Sequence, residues 1–129
     1  MKKLLSITMF LVAVLSIVMQ ANAQSNPLPS KPLRHVVIIT FKAGTSADSI
    51  QAVDQAFTSL SKERLVKDFE WGIEIADEQV EQETHFYVLS FASREDIKSY
   101  EKTPQHDELI RVASPIVADV KVIDYWAEE

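Results

Sequence analysis

Apolar side chains recur at every second position in some stretches of this chain and at every third or fourth in others, and that change of period divides it into elements. Arg34 to Lys42 (RHVVIITFK) is rich in β-branched residues and predicts a strand. His35, Val37, Ile39 and Phe41 fall on one face, and Val36, Ile38 and Thr40 on the other. Both faces are largely apolar, so both need a cover. Ile50, Val53, Phe57 and Leu60 follow at helical spacing, with Thr45 or Ser46 as the cap and an end near Ser61. Phe69, Trp71, Ile73 and Ile75 alternate with Glu70, Gly72 and Glu74, the signature of a half-exposed strand. Asp77 to Glu83 is a polar hairpin loop. Thr84 to Phe91 is a third strand, with His85, Tyr87, Leu89 and Phe91 on one face and Phe86 and Val88 on the other.

Ser93 and the acids after it open a second helical region. Pro104 interrupts it, because proline lacks the N–H and fixes φ; the same constraints suit the first position of a new helix, with Thr103 as its N-cap. That helix ends near Ser114-Pro115. Val120 to Trp126 is the last strand, with Val120, Val122 and Asp124 facing one way and Ile123 and Tyr125 the other. The order β-α-β-β-α-β predicts an α+β, ferredoxin-like fold: a four-stranded antiparallel sheet, helices on one face, the first strand between the third and the fourth. The other face carries Val36, Ile38, Phe86, Val88, Ile123 and Tyr125, with no element left to cover it. An apolar face of that extent predicts a homodimer packed sheet to sheet.

Residues 1–23 read differently. Lys2 and Lys3, the apolar run Leu4 to Met19, and Ala21-Asn22-Ala23 form the three parts of a secretory signal cut before Gln24. The expected mature protein is soluble and periplasmic or secreted. Residues 24–33, with Pro27, Pro29 and Pro32, read as an extended linker, and 34–127 as one domain with one core. The chain has no cysteine, so neither a disulfide nor a lipid-bearing cysteine is available. Its net charge of −6 becomes more negative once Lys2 and Lys3 are removed, which argues against nucleic acid or an anionic membrane as partner.

The candidate chemistry centres on Tyr100 and His106 (YEKTPQH). His106 falls in the first turn of the helix opened by Pro104, where the helix dipole disfavours an imidazolium and keeps the ring neutral, as a general base must be. His106, Leu109, Ile110 and Ala113 share one helix face, which points the imidazole inward. Asp124, on the inward strand face, needs a partner there, and a hydrogen bond to His35 or to His106 would set a tautomer. His35, Val37, Ile39, Val53, Phe57, Phe69, Trp71, His85 and Val122 are the candidate lining of an apolar site, although a plain core would use the same residues. His35, His85 and His106 lie on separate elements without metal-binding spacing, so no metal and no cofactor is expected.

Taken together, R-H-V-V-I-I-T-F-K at 34–42, F-E-W-G at 69–72, T-H-F-Y-V-L-S-F at 84–91, S-R-E-D at 93–96, Y-E-K-T-P-Q-H at 100–106 and V-I-D-Y at 122–125 resemble the stress-responsive dimeric α/β-barrel (Dabb) family. The resemblance spans nearly the whole expected domain. It implies a ferredoxin-like protomer and a homodimer whose two sheets close into a barrel. One enzymatic member, the plant polyketide cyclase that makes olivetolic acid, works without a cofactor. Its catalytic tyrosine and histidine correspond to Tyr100 and His106, its other pocket histidines to His35 and His85, and an aspartate near its C-terminus to Asp124. Thr103 stands where the related motif often has histidine. Three functions follow as alternatives: a cofactor-independent lyase, cyclase or isomerase acting on a small apolar or aromatic carbonyl compound; a non-catalytic module that binds such a compound; and a structural or stress-protective envelope dimer.

Overall fold

The computed structural model describes residues 31–128; the expected signal segment and the linker up to residue 30 lie outside the described residues. The elements are β1 (Leu33–Phe41), α1 (Ala47–Leu60), β2 (Asp68–Ile73), β3 (Thr84–Phe91), α2 (Arg94–Tyr100), α3 (Pro104–Ala113) and β4 (Val117–Trp126). The sheet order is β2-β3-β1-β4, all antiparallel, so β1 lies between β3 and β4 as the topology predicts.

The inner face of the sheet holds Leu33, His35, Val37, Ile39 and Phe41 of β1 and His85, Tyr87, Leu89 and Phe91 of β3, all buried. Over it pack Ile50, Val53, Phe57 and Leu60 of α1, Ile97 and Tyr100 of α2, and Leu109 and Ala113 of α3. The Phe57 and Tyr87 rings stack with centroids 3.6 Å apart, which ties α1 to β3 at the centre of the core. Local chemistry sets the helix starts. Ser46, Ser93 and Thr103 each sit in extended backbone and accept a hydrogen bond from the amide three residues on.

Among the differences from the pattern are three boundaries and one loop residue. β1 begins at Leu33, which the pattern assigns to the linker; it continues the inward alternation of β1 opposite Phe91 and Trp126 and is buried. β2 ends at Ile73, so Ile75 does not extend its inward row and lies fully in solvent. β4 starts three residues before Val120 and carries a register shift opposite Thr40 and Phe41. Glu83 is not merely a solvated loop residue, since its carboxylate contacts the ring of His85.

The outer face of the sheet has no covering element among the described residues. Val36, Ile38, Phe86 and Val88 are half-buried there, and Ile123 and Tyr125 are exposed. β4 is the least protected strand, because among the described residues no helix packs tightly against its inner face: Val120 and Val122 are about half exposed.

Candidate functional site

A cavity of about 460 Å³ opens between the inner face of β1 and β4 and the underside of α3. His35, Val37 and Ile39 of β1 and Val117, Val120 and Val122 of β4 form its floor. Leu109, Ile110 and Ala113 of α3 form its roof, Phe57 closes the back, and Tyr100, Glu101 and His106 stand at one end. Its walls are mostly apolar, with most of the polar lining at that end, the usual composition of a small-molecule site.

The helix break builds the polar end. α2 stops at Tyr100; the Thr103 hydroxyl donates to the Tyr100 carbonyl at 2.8 Å and accepts the His106 amide at 3.3 Å. Pro104 then starts α3 in a new direction. The result sets the Tyr100 and His106 rings edge to face with centroids 5.4 Å apart. His35 also meets Tyr100 at a steep angle, with centroids 6.0 Å apart. The phenol ring therefore neighbours two imidazoles.

The hydrogen bonds at this end are incomplete. His35 Nδ1 and Asp124 Oδ1 are 2.6 Å apart, as their direct pairing across β1 and β4 requires. Among the described residues, the Tyr100 hydroxyl and both ring nitrogens of His106 have no hydrogen-bond partner, yet no buried side-chain nitrogen or oxygen is left unpartnered. Those atoms are therefore solvent-accessible, and both residues line the cavity. Burial, with smaller contributions from the Glu101 and Glu63 carboxylates, raises the Tyr100 pKa and keeps the phenol protonated. Burial also lowers the pKa of His106, and His35 adds to that, against the opposing carboxylates of Glu101 and Asp107. The end of the cavity thus offers a neutral imidazole, a protonated phenol and a carboxylate-bound imidazole.

Of the candidate residues, Tyr100, His106, Asp124, His35, Val37, Ile39, Phe57 and Val122 come together at this cavity, Asp124 through His35. Val53, Phe69, Trp71 and His85 do not line it. Val53 is fully buried in the core, and Phe69 and Trp71 lie on β2, at the far edge of the sheet from β4. His85 pairs with Ile39, at the opposite end of β1 from His35, and its ring is held there by Asp54 and Glu83. The pattern reads which face a residue is on, but not how far across the sheet it stands. Glu101, Ser114 and Val117 line the cavity without having been singled out; Leu109, Ile110, Ala113 and Val120 had carried a signal, since they share faces with His106 or Val122.

The model of the stress-responsive A/B barrel domain matches residues 33–127. The chain belongs to the Dabb family. It is 30% identical over 96 residues to the stress-response A/B barrel domain-containing protein HS1 of Arabidopsis thaliana, covering 73% of this chain and 88% of that one. Among solved structures, a hydroxynitrile lyase from Passiflora edulis superposes with a TM-score of 0.67 at 22% identity, over 78% of this chain and 97% of the lyase. A dimeric ferredoxin-like protein of Thermobifida fusca gives a TM-score of 0.65 at 15% identity, over 78% and 94% of the two chains. These two establish likeness of fold. The Dabb fold accordingly accounts for the sheet order and for the helices on one face.

Proposed function

We propose that this Dabb protein binds a small hydrophobic or aromatic carbonyl compound in the cavity beside Tyr100 and His106, and moves a proton to or from it without a cofactor. The observation that carries this reading is a ligand-sized apolar space that ends on a phenol and an imidazole with no side-chain hydrogen bond among the described residues, beside a second imidazole held by Asp124. A space filled by side chains, with both groups bonded to backbone, would have favoured a purely structural dimer. That a protein of the same fold is a hydroxynitrile lyase supports proton-transfer chemistry in such a frame.

The proposed working unit is a homodimer joined through the open sheet face carrying Val36, Ile38, Phe86, Val88, Ile123 and Tyr125. The dimeric Thermobifida neighbour and the uncovered apolar side chains support it. Export is part of the same reading, with a cut after Ala23 and a periplasmic or extracellular product. N-terminal sequencing of the protein recovered from the producing cells should begin at Gln24; an intact Met1 would contradict export by cleavage.

Acetophenone is a suitable probe, being small, aromatic and acidic beside its carbonyl. In D2O the protein should bind it and accelerate exchange of its methyl protons for deuterium, followed by proton NMR. Val122→Trp, which extends a large ring over the floor, should abolish both binding and exchange while leaving the dimer intact by light scattering. Failure of the wild-type protein to bind acetophenone and a panel of related aryl ketones would favour the structural dimer.

A further inference from the structure

We propose, resting on that reading of the cavity, that the proton acceptor is His35 held by Asp124, and that His106 joins Tyr100 as a donor to the carbonyl oxygen. The sequence pattern favours His106 as the base; the hydrogen bonding points elsewhere.

A carboxylate only accepts, so the bond at 2.6 Å is donated by His35 Nδ1–H to Asp124 Oδ1. The neutral ring then carries its lone pair on Nε2. His35 is 4% exposed, and Nε2 has no partner among the described residues, although no buried polar side-chain atom is unpartnered. Nε2 therefore opens on the cavity that His35 lines. This is an oriented lone pair with a carboxylate behind it, ready to stabilise the imidazolium that proton uptake creates. His106 has no such support. Neither of its ring nitrogens has a hydrogen-bond partner among the described residues, and it stands in the first turn of α3, where the helix dipole opposes a cation. Burial disfavours its charged form, and a cationic His35 would disfavour it further.

The step balances as follows. The C–H bond beside the carbonyl breaks, and its proton passes to His35 Nε2. The electron pair moves onto the carbonyl oxygen, and the resulting enolate accepts hydrogen bonds from the Tyr100 O–H and the His106 N–H. Return of a solvent-exchanged proton from His35 completes the exchange. Asp124 touches no reacting atom; it is a positioning residue.

Ring 15N NMR of histidine-labelled protein at pH 8 tests the arrangement directly, since the chain has three histidines and single substitutions assign them. His35 should show a protonated Nδ1 and a bare Nε2. Asp124→Asn can satisfy either tautomer, because an amide both donates and accepts, and should populate both forms. In the acetophenone assay, His35→Gln should slow exchange on the order of 10²-fold. Asp124→Asn should slow it about 10-fold by the same loss of orientation, through kcat with KM unchanged. Asp124 lies half-exposed on an edge strand, so its variant keeps the test available if His35→Gln does not fold. A wild-type His35 carrying its proton on Nε2, or full exchange in His35→Gln with none in His106→Gln, would overturn the assignment while leaving the proposed activity standing. A protein that binds acetophenone and exchanges nothing would remove the activity and this assignment together.

Discussion

The two ends of the sheet are built from the same residue types and end in opposite states. At one end, His85 has Asp54 Oδ1 2.8 Å from Nδ1 and Glu83 Oε1 2.6 Å from Nε2, and the Tyr87 hydroxyl donates to Asp54 at 2.6 Å. Every polar atom of that histidine and that tyrosine is used by the protein itself. At the other end, His35 is held by Asp124 through one nitrogen, while Tyr100 and His106 make no side-chain hydrogen bond among the described residues. Their remaining capacity faces a cavity. Histidine, tyrosine and aspartate in a core therefore do not mark a site by themselves; what distinguishes the proposed site is unspent hydrogen-bonding capacity beside empty space. The first end joins α1, β3 and the β2–β3 loop, and the second borders the cavity.

The largest effect that should separate the two ends is on stability. Asp54→Ala orphans two buried groups and should cost about 3 kcal/mol in urea unfolding, the magnitude of a broken buried pair. Asp124→Ala removes a carboxylate that is 44% exposed, orphans one group where Asp54→Ala orphans two, and should cost about 1 kcal/mol. Equal losses would erase the distinction. Next comes Thr103→Ala, which removes the cap that sets the start of α3 and should cost about 1 kcal/mol by thermal or urea unfolding. It should also loosen the Tyr100–His106 arrangement and weaken acetophenone binding, whereas the equivalent loss at Ser46 should leave binding alone.

The smallest expected effect concerns pH. The folded-state pKa of His106 lies below its unfolded value, so between the two the unfolded chain binds more protons and stability rises with pH. Acidification from neutrality through about pH 6.5 should therefore erode stability until the folded-state pKa is passed. His106→Asn should flatten that part of the stability–pH curve, measured by chemical denaturation at each pH. An unchanged curve would show that the ring is not desolvated.

Much of this was legible in the chain because periodicity and punctuation are local. The bounds of β3, the cap at Thr103, the break at Pro104 and the inward face of each strand follow from a few neighbouring residues. Register across the sheet is not local. The sequence left Asp124 free to pair with His35 or His106, and only the direct opposition of Asp124 and His35 across β1 and β4 decides it. For the same reason His85, Phe69 and Trp71 read as pocket residues: they share the face but stand toward the far end or the far edge of the sheet. Asp54 left a faint mark, an acid four residues after Ile50 and three before Phe57, at the margin of the buried helical stripe.

The most direct test of the central claim pairs one tyrosine from each end in the acetophenone exchange assay. Tyr100→Phe should slow exchange on the order of 10²-fold, since it removes one donor to the developing enolate, with stability nearly unchanged because its hydroxyl has no partner among the described residues. Tyr87→Phe should leave exchange intact and cost about 1 to 2 kcal/mol of stability, since it deprives Asp54 of a donor. Loss of exchange in Tyr87→Phe alone, or no difference between the two variants, would contradict the account.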